Sequence, residues 1–341
     1  MTMQKGNWTA HKTGQYFFWG SVAFSLLFTL IIWLAGQRLA GVSLLPDEGT
    51  TWYYWKLPNP TFWSQATAWA GYLIHQIFMW GLIYYAQKNV KKYTDGLHPI
   101  NIIALLGNAG FIVLHFIQTQ IWYDGLAQNL SLQSSEVSVI LLLVIVLIME
   151  NRRRGLFFGK KVPVGEAMTD FFRHNHGYIF AWAIVYTFWF HPMVSTAGHL
   201  VGFFYIFLLL IQSSLFYTRQ HINHWWTVSL ELIVLGHGAM VVAMLRGEGV
   251  WAFVLGFMGI FLVTQMHGLA LSKQKKWGIG FIYALMIVVA FNSRGFLVMR
   301  DIILIPIIEY GLILILALIS GTGLWTIYFV RKLVTKRREQ I

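Results

Sequence analysis

The sequence predicts an all-α protein, a polytopic bundle of about ten membrane-spanning helices with both termini cytoplasmic. Three observations carry that reading. Hydrophobic residues make up 57% of the 341 and charged residues 11%, too little charge to clothe a soluble chain of this size. The apolar runs are continuous rather than alternating, which selects helices over a barrel; only those two structures satisfy every backbone N–H and C=O inside hydrocarbon. Lys and Arg fall on alternate connecting segments, as the positive-inside rule requires of a multi-pass chain.

A span needs about 20 apolar residues to cross roughly 30 Å of hydrocarbon. Such runs are read at 16–36, 61–87, 99–123, 137–150, 176–191, 198–218, 225–245, 250–272, 277–292 and 302–330. The first is too long for the apolar region of a cleaved signal and ends in Gly36, Gln37 and Arg38 without a small-x-small site, so it is expected to stay in the protein. With the N-terminus inside, inner segments hold 20 of the 25 Lys and Arg, including Arg152, Arg153, Arg154, Lys160, Lys161 and Arg173. Outer segments hold only Arg38, Lys56, Arg246, Arg294 and Arg300. Nine or eleven helices would scramble this alternation. It also gives the formal charge of +12 a plainer cause than nucleic acid.

The chain therefore reads as one integral domain, 1–341, of a bacterial-type inner (plasma) membrane. An outer surface segment is expected at 38–60, an inner basic loop at 151–175 and a basic cytoplasmic tail at 331–341. Trp52, Tyr53, Tyr54, Trp55 and Trp63 suit the outer headgroup level, and Trp225, Trp226 and Trp277 the inner one. The segment 117–123 resembles 211–217. Three helices separate the two, so a true repeat would be inverted, as in many transporters; a shared preference for aromatic and amide residues at helix ends is the plainer cause.

The chain has no cysteine, which excludes disulfides, iron–sulfur clusters, thiolate-bound haem and cysteine nucleophiles. It has 12 histidines, a high number where ionisable groups are costly and usually serve a site. One group lies at inner helix ends: His174 and His176, His221 and His224, with His98 nearby. Neutral imidazoles from neighbouring helix ends are ligands for iron or zinc, and Glu166 and Asp170 could orient them. The His-x-x-x-His and His-x-x-His-His boxes of membrane di-iron hydroxylases are absent. The alternative is that these rings sit at the interface and meet lipid phosphate beside Arg173 and Arg219.

A second group, His75, His115 and His237 with His191 and His199, is expected in or near the outer half of the bilayer. Counting about 1.5 Å per residue puts the first three at similar depth, where they could hold a metal or haem, or simply bond to neighbouring helices. Asn108, His115, Gln118 and Trp122 share one helical stripe that should face the bundle. Glu231 and Glu309 are carboxylates inside spans, and Glu231 with His267 is a candidate pair on a proton path. Three readings follow: a histidine-ligated metal or haem redox enzyme acting on a lipid-soluble small molecule, a proton-coupled transporter, or a noncatalytic subunit of a membrane complex or homo-oligomer.

Overall fold

The computed structural model describes residues 3–49, 55–246, 250–295 and 297–338. The protein is 78% helical, and no strand occurs among the described residues. They form α1 (Met3–Ala35), α2 (Phe62–Asn89), α3 (Pro99–Trp122), α4 (Leu132–Arg154), α5 (Glu166–Phe190), α6 (Ala197–Ser214), α7 (His224–Arg246), α8 (Val250–Val263), α9 (Lys273–Arg294) and α10 (Leu297–Arg338). Each apolar run of the sequence overlaps one of these helices.

Seven segments are long and apolar enough to cross a membrane: Gly14–Leu39, Pro99–Trp122, Leu132–Arg154, Ala197–Ser214, His224–Met244, Val250–His267 and Ile302–Gly323. The other three helices, α2, α5 and α9, are diluted by polar and aromatic residues. Examples are Gln65, Tyr72 and Gln76 in α2, Asp170 and Arg173 in α5, and Lys273, Lys275 and Lys276 in α9. Helix α2 nonetheless exposes Leu73, Ile74 and Ile77 along one face.

Local chemistry explains where helix ends depart from the apolar runs. The expected inner loop 151–175 shrinks to 155–165, because Arg152, Arg153 and Arg154 finish α4 at the negative end of its dipole and Glu166 opens α5 at the positive end. Arg152 also pairs with Asp170 at 2.8 Å. The run 250–272 breaks after Val263, where Thr264 leaves helical geometry and a 3-10 turn, Gln265–His267, follows. Thr61 caps α2 by accepting from Ser64 N at 3.1 Å. Asn101 caps α3 through His98 N at 2.7 Å, with Pro99 in the first turn.

The chain divides into two compact units, residues 1–139 with 177–247, and residues 140–176 with 248–341. In the first, Phe18 of α1, Leu105 of α3, Leu208 and Ile211 of α6 and Leu230 of α7 form a buried cluster. Buried residues of α3 recur at 101, 104, 105, 108, 112, 115, 118 and 119, while Ile103, Leu106, Leu114, Ile117 and Ile121 face outward. The helix thus hides its polar stripe and offers aliphatic side chains to lipid. In the second unit Leu255, Ala290 and Ile302 join α8, α9 and α10. There the 155–162 loop turns through Gly155, Phe158 and Gly159, all at positive φ, and is held by Phe158 N donating to Val263 O at 2.8 Å.

Within the expected outer surface segment, Trp55 is 5% exposed and packs edge-on against the His191 and His199 rings. Trp63, Trp225 and Trp277 are exposed. Trp52, Tyr53 and Tyr54 lie outside the described residues.

Candidate functional site

The first unit brings histidines from α2, α3, α6, α7 and the α5–α6 turn toward one end of the bundle. Helix α2 contributes His75 on the same face as Ala68, Gly71 and Met79, which are buried at helical spacing. The Trp189 indole of α5 lies directly on Gly71, where a Cβ would come 2.2 Å from ring atom Cη2; only glycine permits this approach. Trp189 Nε1 donates to His75 Nδ1 at 3.2 Å. His75 Nε2 must then carry the hydrogen, which it donates to Asn108 Oδ1 at 2.7 Å. Asn108 Nδ2 in turn donates to Ser214 Oγ at 2.9 Å. Phe111 stacks on the His75 ring with centroids 4.0 Å apart. His75 is a neutral ring with both nitrogens committed, tying α2, α3, α5 and α6 together.

His115 is placed differently. Its ring packs 4.4 Å from Trp189, and its Nε2 donates to the His191 carbonyl at 2.9 Å. A neutral imidazole would then present a lone pair at Nδ1, yet Nδ1 stands 3.1 Å from Gln118 Oε1, also an acceptor. Two protons on the ring satisfy that arrangement. Turning the Gln118 amide by half a revolution, so that its NH₂ donates to Nδ1, satisfies the neutral form. Gln118 Nε2 is buried without a hydrogen bond in the present orientation, so both states are within one side-chain rotation.

Beyond His115 the rings of His191 and His199 stand in edge-to-face contact, with centroids 5.4 Å apart. Thr196 caps α6 and holds His199 through Oγ1 and Nδ1 at 2.7 Å. His199 Nε2 is buried without a partner. His237 of α7 lies over Gly202 of α6, where a Cβ would sit 2.8 Å from its Nε2.

Asp124 belongs to the same end of the unit and was not singled out by the sequence, because it falls two residues beyond the end of α3 and has no motif around it. Gly125 packs on the carbonyls of Trp189 and Phe190, fixing Asp124 beside Ser64 at the start of α2. Its Oδ1 accepts from Gly125 N at 2.7 Å and its Oδ2 is buried without a hydrogen bond. Burial pushes its carboxyl up to about 6. Trp55 and Trp189 are the other participants that sequence alone did not mark.

Among the histidines expected at inner helix ends, several have local partners. His98 Nε2 bonds Thr94 Oγ1 at 3.1 Å, and His221 Nδ1 donates to Gln212 O at 3.1 Å. His224 packs on Trp225. These three belong to the first unit, whereas His174 and His176 belong to the second, where His176 Nδ1 donates to Arg173 O at 2.8 Å. Glu231 stands beside Tyr205 in the first unit, and His267 lies against Gly159 in the second. The Glu309 side chain lies outside the described residues. Among the described residues no group of three or more His, Asp or Glu is placed to hold a metal ion. The chain matches no known protein family, no curated protein and no solved structure.

Proposed function

We propose that this chain is a proton-coupled membrane transporter of a bacterial-type inner membrane, with all ten helices crossing and both termini cytoplasmic. The working path runs through His115, His191, His199 and His237, while His75 and Asn108 hold the surrounding helices. The observation that carries this reading is the run of buried imidazoles itself, in which His115 donates to the His191 carbonyl at 2.9 Å and the His191 and His199 rings stand in contact with centroids 5.4 Å apart. Imidazole changes charge near neutral pH and takes a proton at one nitrogen while releasing it from the other, which suits it to pass protons through a buried chain. Glu231 on α7 extends the same unit toward the opposite end, and Glu309 is the corresponding carboxylate of α10.

A redox enzyme holding iron, zinc or haem is the second reading of these rings. It draws on His199, whose Nε2 is free to bind, but His75 and His115 have both nitrogens engaged. The test is proton flux into liposomes containing the purified protein and an internal pH-sensitive dye, driven by a potassium diffusion potential. His115→Phe and His199→Phe should each lower the flux by about tenfold or more, since each removes an ionisable link that the bilayer does not replace. Wild-type flux in both variants overturns the proposal, and metal copurifying at one atom per chain would favour the redox reading instead.

A further inference from the structure

A cavity of about 310 Å³, about half open on its outer side, lies between α1, α3 and α6 in the first unit. Its volume is at the low end of small-molecule sites, roughly 300–1,000 Å³. Three properties of its lining define what fits. No lining residue is charged, so a phosphate, carboxylate or ammonium head would be buried without a counter-charge, at prohibitive cost. Tyr16, Phe24 and Phe207 supply aromatic walls, which favour a flat ring. The polar side chains on the wall are Ser21, Ser25 and Asn108, with the Tyr16 hydroxyl at the mouth. The hydrogens of the first three are already spent: Ser21 Oγ donates to Phe17 O at 2.8 Å, Ser25 Oγ to Ser21 O at 2.9 Å, and Asn108 Nδ2 to Ser214 Oγ at 2.9 Å and Leu210 O at 3.3 Å. What remains on these three side chains is oxygen lone pairs. Away from the Tyr16 hydroxyl at the mouth, the wall therefore accepts hydrogen bonds and has none to give.

We infer that this cavity binds an uncharged lipid whose head is a hydroxyl-bearing aromatic ring, of the quinol type, with its apolar tail leaving past Leu106 and Tyr16. Both of those side chains are exposed on the outer face of the unit, at 59% and 75%, where the tail meets the bilayer. The ring hydroxyl donates to the serine oxygens, and the aromatic walls clamp the ring. The inference concerns binding and stands apart from the proton path.

Gly20 supplies the test, because a Cβ there meets nothing within 4 Å and a larger side chain fills the cavity without striking the fold. The purified protein is titrated with a short-tailed benzoquinol and, separately, with its dimethyl ether, which has the same ring and tail but no hydroxyl to donate. Binding is followed by native mass spectrometry. The quinol should bind about tenfold more tightly than the ether, and Ser25→Ala should shrink that difference. Gly20→Leu should abolish binding, while Gly20→Ala keeps both binding and melting temperature. Equal affinity for quinol and ether would reduce the site to an acyl-chain groove and overturn the inference. So would undiminished binding in folded Gly20→Leu protein. Neither measurement depends on proton flux, so failure here and failure of the histidine path are separate results.

Discussion

Replacing Gly71 by alanine tests the geometry on which the histidine arrangement rests. The added methyl would stand 2.2 to 2.7 Å from three atoms of the Trp189 ring, so the indole must retreat by more than about 1 Å to reach ordinary contact near 3.5–4.0 Å. It has little room to do so. Trp189 is fully buried, bonded to His75 at 3.2 Å and packed 4.4 Å from His115. Overpacking of this kind costs about 1–3 kcal/mol, and losing the Trp189–His75 bond adds about 0.6 kcal/mol on the membrane scale. The total of about 2–4 kcal/mol exceeds the gain in helix propensity of about 1 kcal/mol. Gly81, on the same helix, is the internal control, because a Cβ there meets nothing within 4 Å. Unfolding by denaturing detergent in mixed micelles should show Gly71→Ala markedly less stable than the wild type and Gly81→Ala equal to it or better. The liposome flux assay should show Gly71→Ala impaired as His115 loses its neighbour. Equal stability of the two variants would mean that Trp189 does not rest on Gly71, and the described site would fall with it.

Asp124 gives stability a pH dependence of defined sign. Its carboxyl holds a proton in the folded state up to about pH 6 but releases it near 3.9 when unfolded. The unfolded state therefore binds fewer protons in this window, and stability falls as pH rises from about 4 to 6, by at most about 3 kcal/mol. Asp124→Asn should flatten that stretch of the melting-temperature profile and raise stability at pH 7; an unchanged profile would refute the buried carboxyl. Asn101 accepts from His98 N at 2.7 Å and donates to Ser214 O and Phe216 O at 2.8 and 2.9 Å. Asn101→Ala should cost about 2 kcal/mol, taking roughly 0.6 to 1 kcal/mol per bond in a membrane protein, read in the same detergent titration. A loss below about 0.5 kcal/mol would show these bonds to be replaced by others.

The segments 117–123 and 211–217, alike in sequence, both lead into a tyrosine with left-handed backbone, Tyr123 at φ 46° and Tyr217 at φ 59°. The likeness is thus partly one of chain endings. Tyr123 caps α3 directly, whereas α6 stops at Ser214, three residues before Tyr217, so the two endings are not superimposable turn for turn. Asn108, His115 and Gln118 were legible as one buried stripe because residues spaced at the helical period share a face whatever the rest of the chain does. The lipid environment and the place of each helix were legible for the same reason: backbone hydrogen bonds in a helix are local, and a run of apolar residues declares itself without reference to distant parts of the sequence.

Which histidines meet was not legible in that way. Trp55, expected at a headgroup boundary, is buried against His191 and His199. Asp124, unremarkable in the sequence, becomes a buried carboxyl because Gly125 lets the loop press on the end of α5. Each of these outcomes depends on which helices are neighbours and how each is rotated about its axis. Inside lipid those choices follow from close packing and hydrogen bonds between side chains far apart in sequence, with little hydrophobic drive between helices to favour one pairing over another. The sequence by itself determined the helices and the solvent they face; only the tertiary structure decided which polar groups they hide together.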